Sequence, residues 1–259
     1  MPDPKGGVAV SEFAVIVGTQ RSGTTVLRSI LGTHPRLTAY GEVFLERHRG
    51  MSECFFHYLD TVEYDTTPEG LTELFQGYLD YLERLSGSPD WVLFDCKYQF
   101  LRAGLLPEVD KTPLYTYMGD LKMIHIVRKN LLSTYVSCLV SAQTGVWATS
   151  EPEKVKNRTV RIPTGGLAKT LDGRWNEIAG FNHRMSGFDT LQVYYEDLFV
   201  DGEASQEILE AVADHLGVEN EFNPVPHYKK IGLPLNKAIE NYDEVCEALE
   251  GTQHAWLLD

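Results

Sequence analysis

The stretch Phe13-Ala-Val-Ile-Val17, running into Gly18-Thr-Gln-Arg-Ser-Gly-Thr-Thr25, decides the fold. Five consecutive apolar residues ending at a glycine predict a strand buried on both faces. Thr24 to Leu31 predicts a helix with Val26, Leu27, Ile30 and Leu31 on its apolar face, Gly32 as its cap and Pro35 just beyond. A glycine-containing loop between strand and helix suits a phosphate-binding loop. Backbone N–H groups and the helix N-terminus point at an anion there, and hydroxyls add donors. Gly18 and Gly23 have the spacing of a Walker A loop, but Thr24 stands where that loop carries its lysine, and the cation is Arg21. Turn chemistry alone does not call for an arginine and three hydroxyls together.

Working outward, Trp91 to Cys96, Leu121 to Val127 and Thr190 to Tyr195 predict three further strands. Residues 51–60, 68–86, Asn130 to Ala142, Leu171 to Gly187, Ser205 to Leu216 and Ala238 to Leu249 predict helices. This alternation argues for an α/β fold: a single domain with a central parallel sheet flanked by helices and a P-loop-like phosphate-binding loop. Ligands of such sheets sit at the carboxyl ends of the strands, which places the residues after Val17, Cys96 and Val127 under joint suspicion. Residues 1–12, rich in Pro and Gly, are expected to be flexible, with one domain over 13–259. The polar segment 143–170 reads as a lid or acceptor loop.

The composition narrows the function. The chain has 259 residues with a formal net charge of −14, which argues against nucleic acid as a partner, because neutralising phosphates needs a basic surface. An anionic ligand must be held by a local basic site against the global field. Cys54, Cys96, Cys138 and Cys246 lie far apart and the histidines lack HxxxH spacing, so neither a disulfide framework nor a metal site has support. The longest early apolar run has only Phe13 to Val17, too short for a membrane span, and a cytoplasmic protein is expected.

Arg21-Ser-Gly-Thr-Thr25, read with Leu27, Leu31, His34-Pro35 and Gly41-Glu42, resembles the 5′-phosphosulfate loop of sulfotransferases that use 3′-phosphoadenosine-5′-phosphosulfate (PAPS), and the start of tyrosylprotein sulfotransferases in particular. Leu121 to Ser137, Tyr195-Glu-Asp-Leu198 and Ile239 to Glu244 are more similar to bacterial nodulation-factor and trehalose-type carbohydrate sulfotransferases. The resemblance implies transfer of a sulfonate from PAPS to an acceptor hydroxyl on a carbohydrate or small metabolite, leaving 3′,5′-ADP and needing no metal. It assigns Arg21, Ser22, Gly23, Thr24 and Thr25 to the 5′-phosphosulfate, and Arg128 and Ser137 to the 3′-phosphate, with Lys129 leaving the register of that arginine open.

Arg21 would also stabilise the departing phosphate oxygen, and Lys97 is a second cation by the same matching. Cytosolic sulfotransferases place a histidine base after the lysine of the second strand. The matching segment is Lys97-Tyr98-Gln99, and glutamine is no base, so the resemblance passes the base role to Glu42. A structural salt bridge from Glu42 to Arg21 or Arg36 is the competing reading. Asp95 is expected on the same side of its strand as Lys97. Tyr195-Glu-Asp-Leu198 reads as an anchor for a helix start. Lys154, Lys156, Arg158, Arg161, Lys169 and Arg174, with Lys229 and Lys230, are candidates for cofactor contacts, the first six equally readable as a solvated loop. Acceptor recognition is expected from 43–65 and 143–170. Many relatives dimerise, and the chain shows no heptad seam to decide that. The rivals are a P-loop nucleotide-dependent kinase and a non-catalytic nucleotide-binding relative.

Overall fold

A computed structural model describes residues 11–228 and 232–258. The chain runs through β1 (Glu12–Gly18), α1 (Thr24–Leu31), β2 (Leu37–Glu42), α2 (Phe55–Leu59), α3 (Pro68–Ser86), β3 (Trp91–Lys97), α4 (Tyr98–Arg102), β4 (Lys122–Val127), α5 (Leu131–Thr144), α6 (Leu167–Arg184), β5 (Thr190–Tyr194), the short pair β6 (Phe199–Val200) and β7 (Glu203–Ala204), α7 (Gln206–Leu216), α8 (Leu235–Ala238) and α9 (Tyr242–Leu249). The main sheet has the order β2-β3-β1-β4-β5, and every pairing in it is parallel.

The apolar run of β1 alternates between two cores. Val15 and Val17 face one cluster with α3, α5 and α6, whereas Ala14 and Ile16 face a second with α1 and α7. This is the two-sided burial that a continuous apolar strand implies. Helix α3 buries Leu71, Leu74, Phe75, Tyr78, Leu79 and Leu82 at helical spacing. It starts on Thr67, whose side chain accepts from Gly70 N–H, with Pro68 in the first turn, and it stops at Gly87 in the left-handed region. No helix among the described residues is long and apolar enough to cross a membrane.

Four expectations fail here. The sheet has a fifth strand, β2, where no strand was expected. The helix over 51–60 shrinks to Phe55–Leu59, preceded by a 3₁₀ turn at Glu46–His48. The helix expected over Ala238 to Leu249 begins only at Tyr242, and a separate short helix, Leu235–Ala238, precedes it. Ile239 is extended and bridges to Val160, and the Asn241 side chain bonds both the N–H and the carbonyl of Ile162, so tertiary pairing overrides the helical pattern. Helix α6 also begins at Leu167, four residues before its expected start at Leu171, and ends at Arg184.

The core holds a buried polar pair on β4 and α4. The Tyr98 hydroxyl bonds His125 Nε2 beneath the Phe181 ring, which stacks on Tyr98 at 4.4 Å. Burial lowers the His125 imidazole from its ordinary 6.5 to about 4. A histidine held neutral in the fold and protonated in the unfolded chain stabilises fully above its unfolded value, and that contribution drains away as pH falls toward 4. The loss over this window is expected to be about 3 kcal/mol. His125→Gln should flatten the acid decline of unfolding free energy, measured in urea at pH 7 and pH 4.5.

Candidate active site

Because the sheet is parallel, its carboxyl ends gather at one pole. Gly18 pairs with Lys97, Val17 with Cys96 and with His125, and Glu42 with Asp95. The register slips between Tyr40 and Glu42, so Gly41 is an extra residue on the edge strand. A bulge of this kind re-aims the side chain that follows it, here bringing Glu42 opposite Asp95.

The loop after β1 is tightly built. A Cβ on Gly18 would lie 2.7 Å from the Ile126 carbonyl oxygen and 2.5 Å from Ser22 Oγ, so the strand can turn only with a glycine there. Gly23 caps α1 at φ 105, a left-handed value, and a Cβ on it would strike the Tyr195 ring at 2.5 Å. Arg21 itself sits at φ 66, a strained position for a residue with a side chain. No side chain caps the α1 N-terminus, so its first N–H groups stay free for a ligand.

Lys97 lies at the centre of a chain of alternating charges and is 3% exposed. Its Nζ bonds Thr24 Oγ1 and lies 3.4 Å from Glu42 Oε1 and 3.7 Å from Asp95 Oδ2. Asp95 Oδ2 is in turn 3.5 Å from Arg28 Nε. Asp95 and Lys97 do share one side of the strand, as period-two alternation requires. Burial pushes the Asp95 carboxyl above its ordinary range despite the pull of Lys97 and Arg28. Glu42 has thus found a cation, but it is Lys97 and not Arg21 or Arg36; Arg36 is held by Asp90.

The second group of cations faces the loop. Arg21 Nε donates to Ser137 Oγ at 2.9 Å, and its NH1 donates to the Trp147 carbonyl. Arg128 NH1 reaches the Arg21 carbonyl at 3.4 Å, and its guanidinium lies 4.7 Å over the Tyr195 ring. The partners of both arginines here are neutral. Burial, with mutual repulsion for Arg21, lowers both guanidinium groups from their ordinary value. Two half-buried cations with neutral partners form a site that an anion would relieve. Of the two neighbouring cations, Arg128 borders the cavity, whereas Lys129 turns to Asp197 at 3.2 Å and to the Tyr194 ring. Glu196 accepts from the N–H groups of Lys129 and Asn130, each at 2.9 Å, and so fixes the start of α5.

These groups line one cavity of about 840 Å³, within the range of small-molecule sites. Arg21, Gly23, Thr24, Thr25, Glu42, Lys97, Arg128 and Ser137 all border it. Ser22 does not, being buried with its hydroxyl on the Thr19 carbonyl, where it shapes the loop. The model of the sulfotransferase family matches residues 14–223. The chain belongs to the sulfotransferase family. Among solved structures, a sulfotransferase from Alicyclobacillus acidocaldarius matches with a TM-score of 0.45 and 15% identity, over 97% of this chain and 96% of that one. No curated protein matches. Sulfonate transfer is therefore the class of reaction that the family supports for this chain.

The sulfotransferase cavity draws little on the basic segment before and within α6. None of Lys154, Lys156, Arg158, Arg161, Lys169 and Arg174 borders it. Lys154 pairs with Glu151, Arg161 with Glu244, and Arg174 stacks over Tyr135. From 143–170 only Trp147 and Ala148 reach the cavity. Lys229 and Lys230 lie outside the described residues. Among the lining residues not singled out from the sequence are Trp147, Tyr195 and Arg47, the last from the 3₁₀ turn after β2; Trp147 and Arg47 lie in the 143–170 and 43–65 segments expected to meet the acceptor. Only Tyr195 carried a signal, as the head of a recurrent motif.

Proposed function

We propose that this sulfotransferase moves a sulfonate from PAPS to an acceptor hydroxyl on a carbohydrate or small metabolite. The observation that carries the reading is the convergence of Arg21, Lys97 and Arg128, with the uncapped α1 N-terminus, on one cavity whose margin holds Glu42. The donor supplies an activated sulfonate and departs as 3′,5′-ADP. Arg128 and Ser137 suit its 3′-phosphate, because a guanidinium fork with a hydroxyl recognises a terminal phosphate. Arg21, Thr24, Thr25 and the N–H groups at the start of α1 suit its 5′ end.

Lys97 and Arg21 hold positive charge where negative charge grows on the leaving oxygen, in a site largely screened from water. Glu42, poised beside the Lys97 ammonium, takes the proton of the acceptor hydroxyl. Ser22 has no direct part; it shapes the loop.

Thermal unfolding with 3′,5′-ADP, with 5′-AMP and with ATP·Mg²⁺ tests the reading. At about 100 times its dissociation constant, 3′,5′-ADP should add about 2.7 kcal/mol of stability without metal, and 5′-AMP should add far less. Stabilisation by ATP·Mg²⁺ alone would put the kinase reading in its place.

A further inference from the structure

A second cavity of about 240 Å³ adjoins the first on the far side of Glu42. The two share Thr25, Glu42 and Arg47, whereas Arg21 and Arg128 border only the larger one. Glu42 therefore stands at the junction of a cationic chamber and a smaller one. Two features show that the smaller chamber is built for polar company. At its floor, Asp95 is 2% exposed and its Oδ1 has no hydrogen-bond partner, and the neighbouring Arg28 Nε makes no hydrogen bond beyond its 3.5 Å ion pair with Asp95 Oδ2. Buried polar atoms without partners are rare and costly in folded proteins. Its wall also carries Arg47, an exposed cation with no hydrogen bond or ion pair among the described residues.

The signs on the lining choose the occupant. Arg28 and Arg47 are cationic, and Glu42, Glu53 and Asp95 are anionic. A carboxylate or phosphate seated there would meet three like charges, and an ammonium would meet two. A neutral group bearing several hydroxyls meets neither repulsion, because each hydroxyl both donates to the carboxylates and accepts from the guanidinium groups. We propose that this side cavity seats the non-reacting part of the acceptor, that this part is neutral and polyhydroxylated, and that Arg47 and Glu53 recognise it. The proposal rests on the sulfonate-transfer reading of Glu42, and it assigns acceptor recognition to the 43–54 segment.

The test uses the whole protein with PAPS and three probes: methyl α-D-glucopyranoside, glucuronate and N-acetyltyrosine amide. The neutral glycoside should be the preferred acceptor. In Arg47→Ala and Glu53→Gln its KM should rise about 10- to 100-fold, with the loss falling on KM more than on kcat, and in Glu53→Gln the Kd for 3′,5′-ADP should be unmoved. Hydrogen exchange over 41–54, with 3′,5′-ADP present, should slow on adding the glycoside. Preference for glucuronate or the tyrosine amide overturns the proposal, as do an unchanged KM in both variants or an absence of protection over 41–54. Those failures leave donor binding intact. Loss of 3′,5′-ADP binding in the unmodified protein would remove the underlying reading instead.

Discussion

Glu42→Gln is expected to lower turnover by about 10²- to 10⁴-fold, the usual worth of a positioned base. The substitution keeps the size of the side chain and an oxygen that can accept from Lys97 Nζ, which lies 3.4 Å from Glu42 Oε1. It removes the capacity to take a proton. Glu42 is one-quarter exposed and borders both cavities, so a hydroxyl can reach it from either side. The cations expected to hold the donor, Arg21 and Arg128, are bonded elsewhere and keep their geometry. Stabilisation by 3′,5′-ADP should therefore survive while turnover of PAPS collapses. Turnover within a factor of about two of the parent enzyme would reduce Glu42 to a counterion for Lys97 and leave the base role vacant.

How much of this site the sequence carried depends on what each residue's signal was made of. The loop from Gly18 to Thr25 was legible because a continuous apolar run, two glycines at fixed spacing and a capped amphipathic helix are all local features. The second arginine was legible up to one residue: Arg128 and Lys129 are both cations at a strand end, and only packing turns one toward Tyr195 and the other toward Asp197. Strand β2 left no such mark. Leu37-Thr-Ala-Tyr-Gly-Glu42 buries only Leu37 and pairs on one side alone, as an edge strand. Its conformation comes from β3, a tertiary effect.

Missing β2 had a chemical cost. With Glu42 read as a loop residue, its nearest cations seemed to be Arg21 and Arg36, although the bulge at Gly41 delivers it to Asp95 and Lys97. The basic segment misled for the converse reason. Its charge run was visible, but the acid that holds Arg161 is Glu244, 83 residues away, and no spacing rule connects them. Arg47 lies within the 43–65 segment expected to meet the acceptor, but nothing singled it out there, since an arginine in a charged turn is what a solvated surface looks like.

Lys97→Met is expected to be the most damaging single change, costing about 3–5 kcal/mol of stability at neutral pH and about 10²- to 10³-fold in turnover. Methionine fills the volume of a 3%-exposed side chain but leaves its two carboxylates without the ammonium between them. Glu42 can turn to water. Asp95 cannot: it is 2% exposed near the carboxyl end of β3, with only Arg28 left, at 3.5 Å.

The pH dependence separates this charge effect from lost packing. Burial already raises the Asp95 carboxyl above its unfolded value, and Lys97 is the largest influence pulling it back. Removing Lys97 raises it further. A carboxyl that binds its proton more tightly in the fold than in the unfolded chain penalises the fold at high pH, and the penalty fades as pH falls through the raised value. The deficit of Lys97→Met should thus be largest at pH 7.5 and shrink by pH 5, opposite in sign to the acid loss expected from His125. Urea unfolding of parent and variant at the two pH values measures it. A deficit that stays constant between them would mean that Lys97 supports the fold by filling space, and that Asp95 was never ionised in its company.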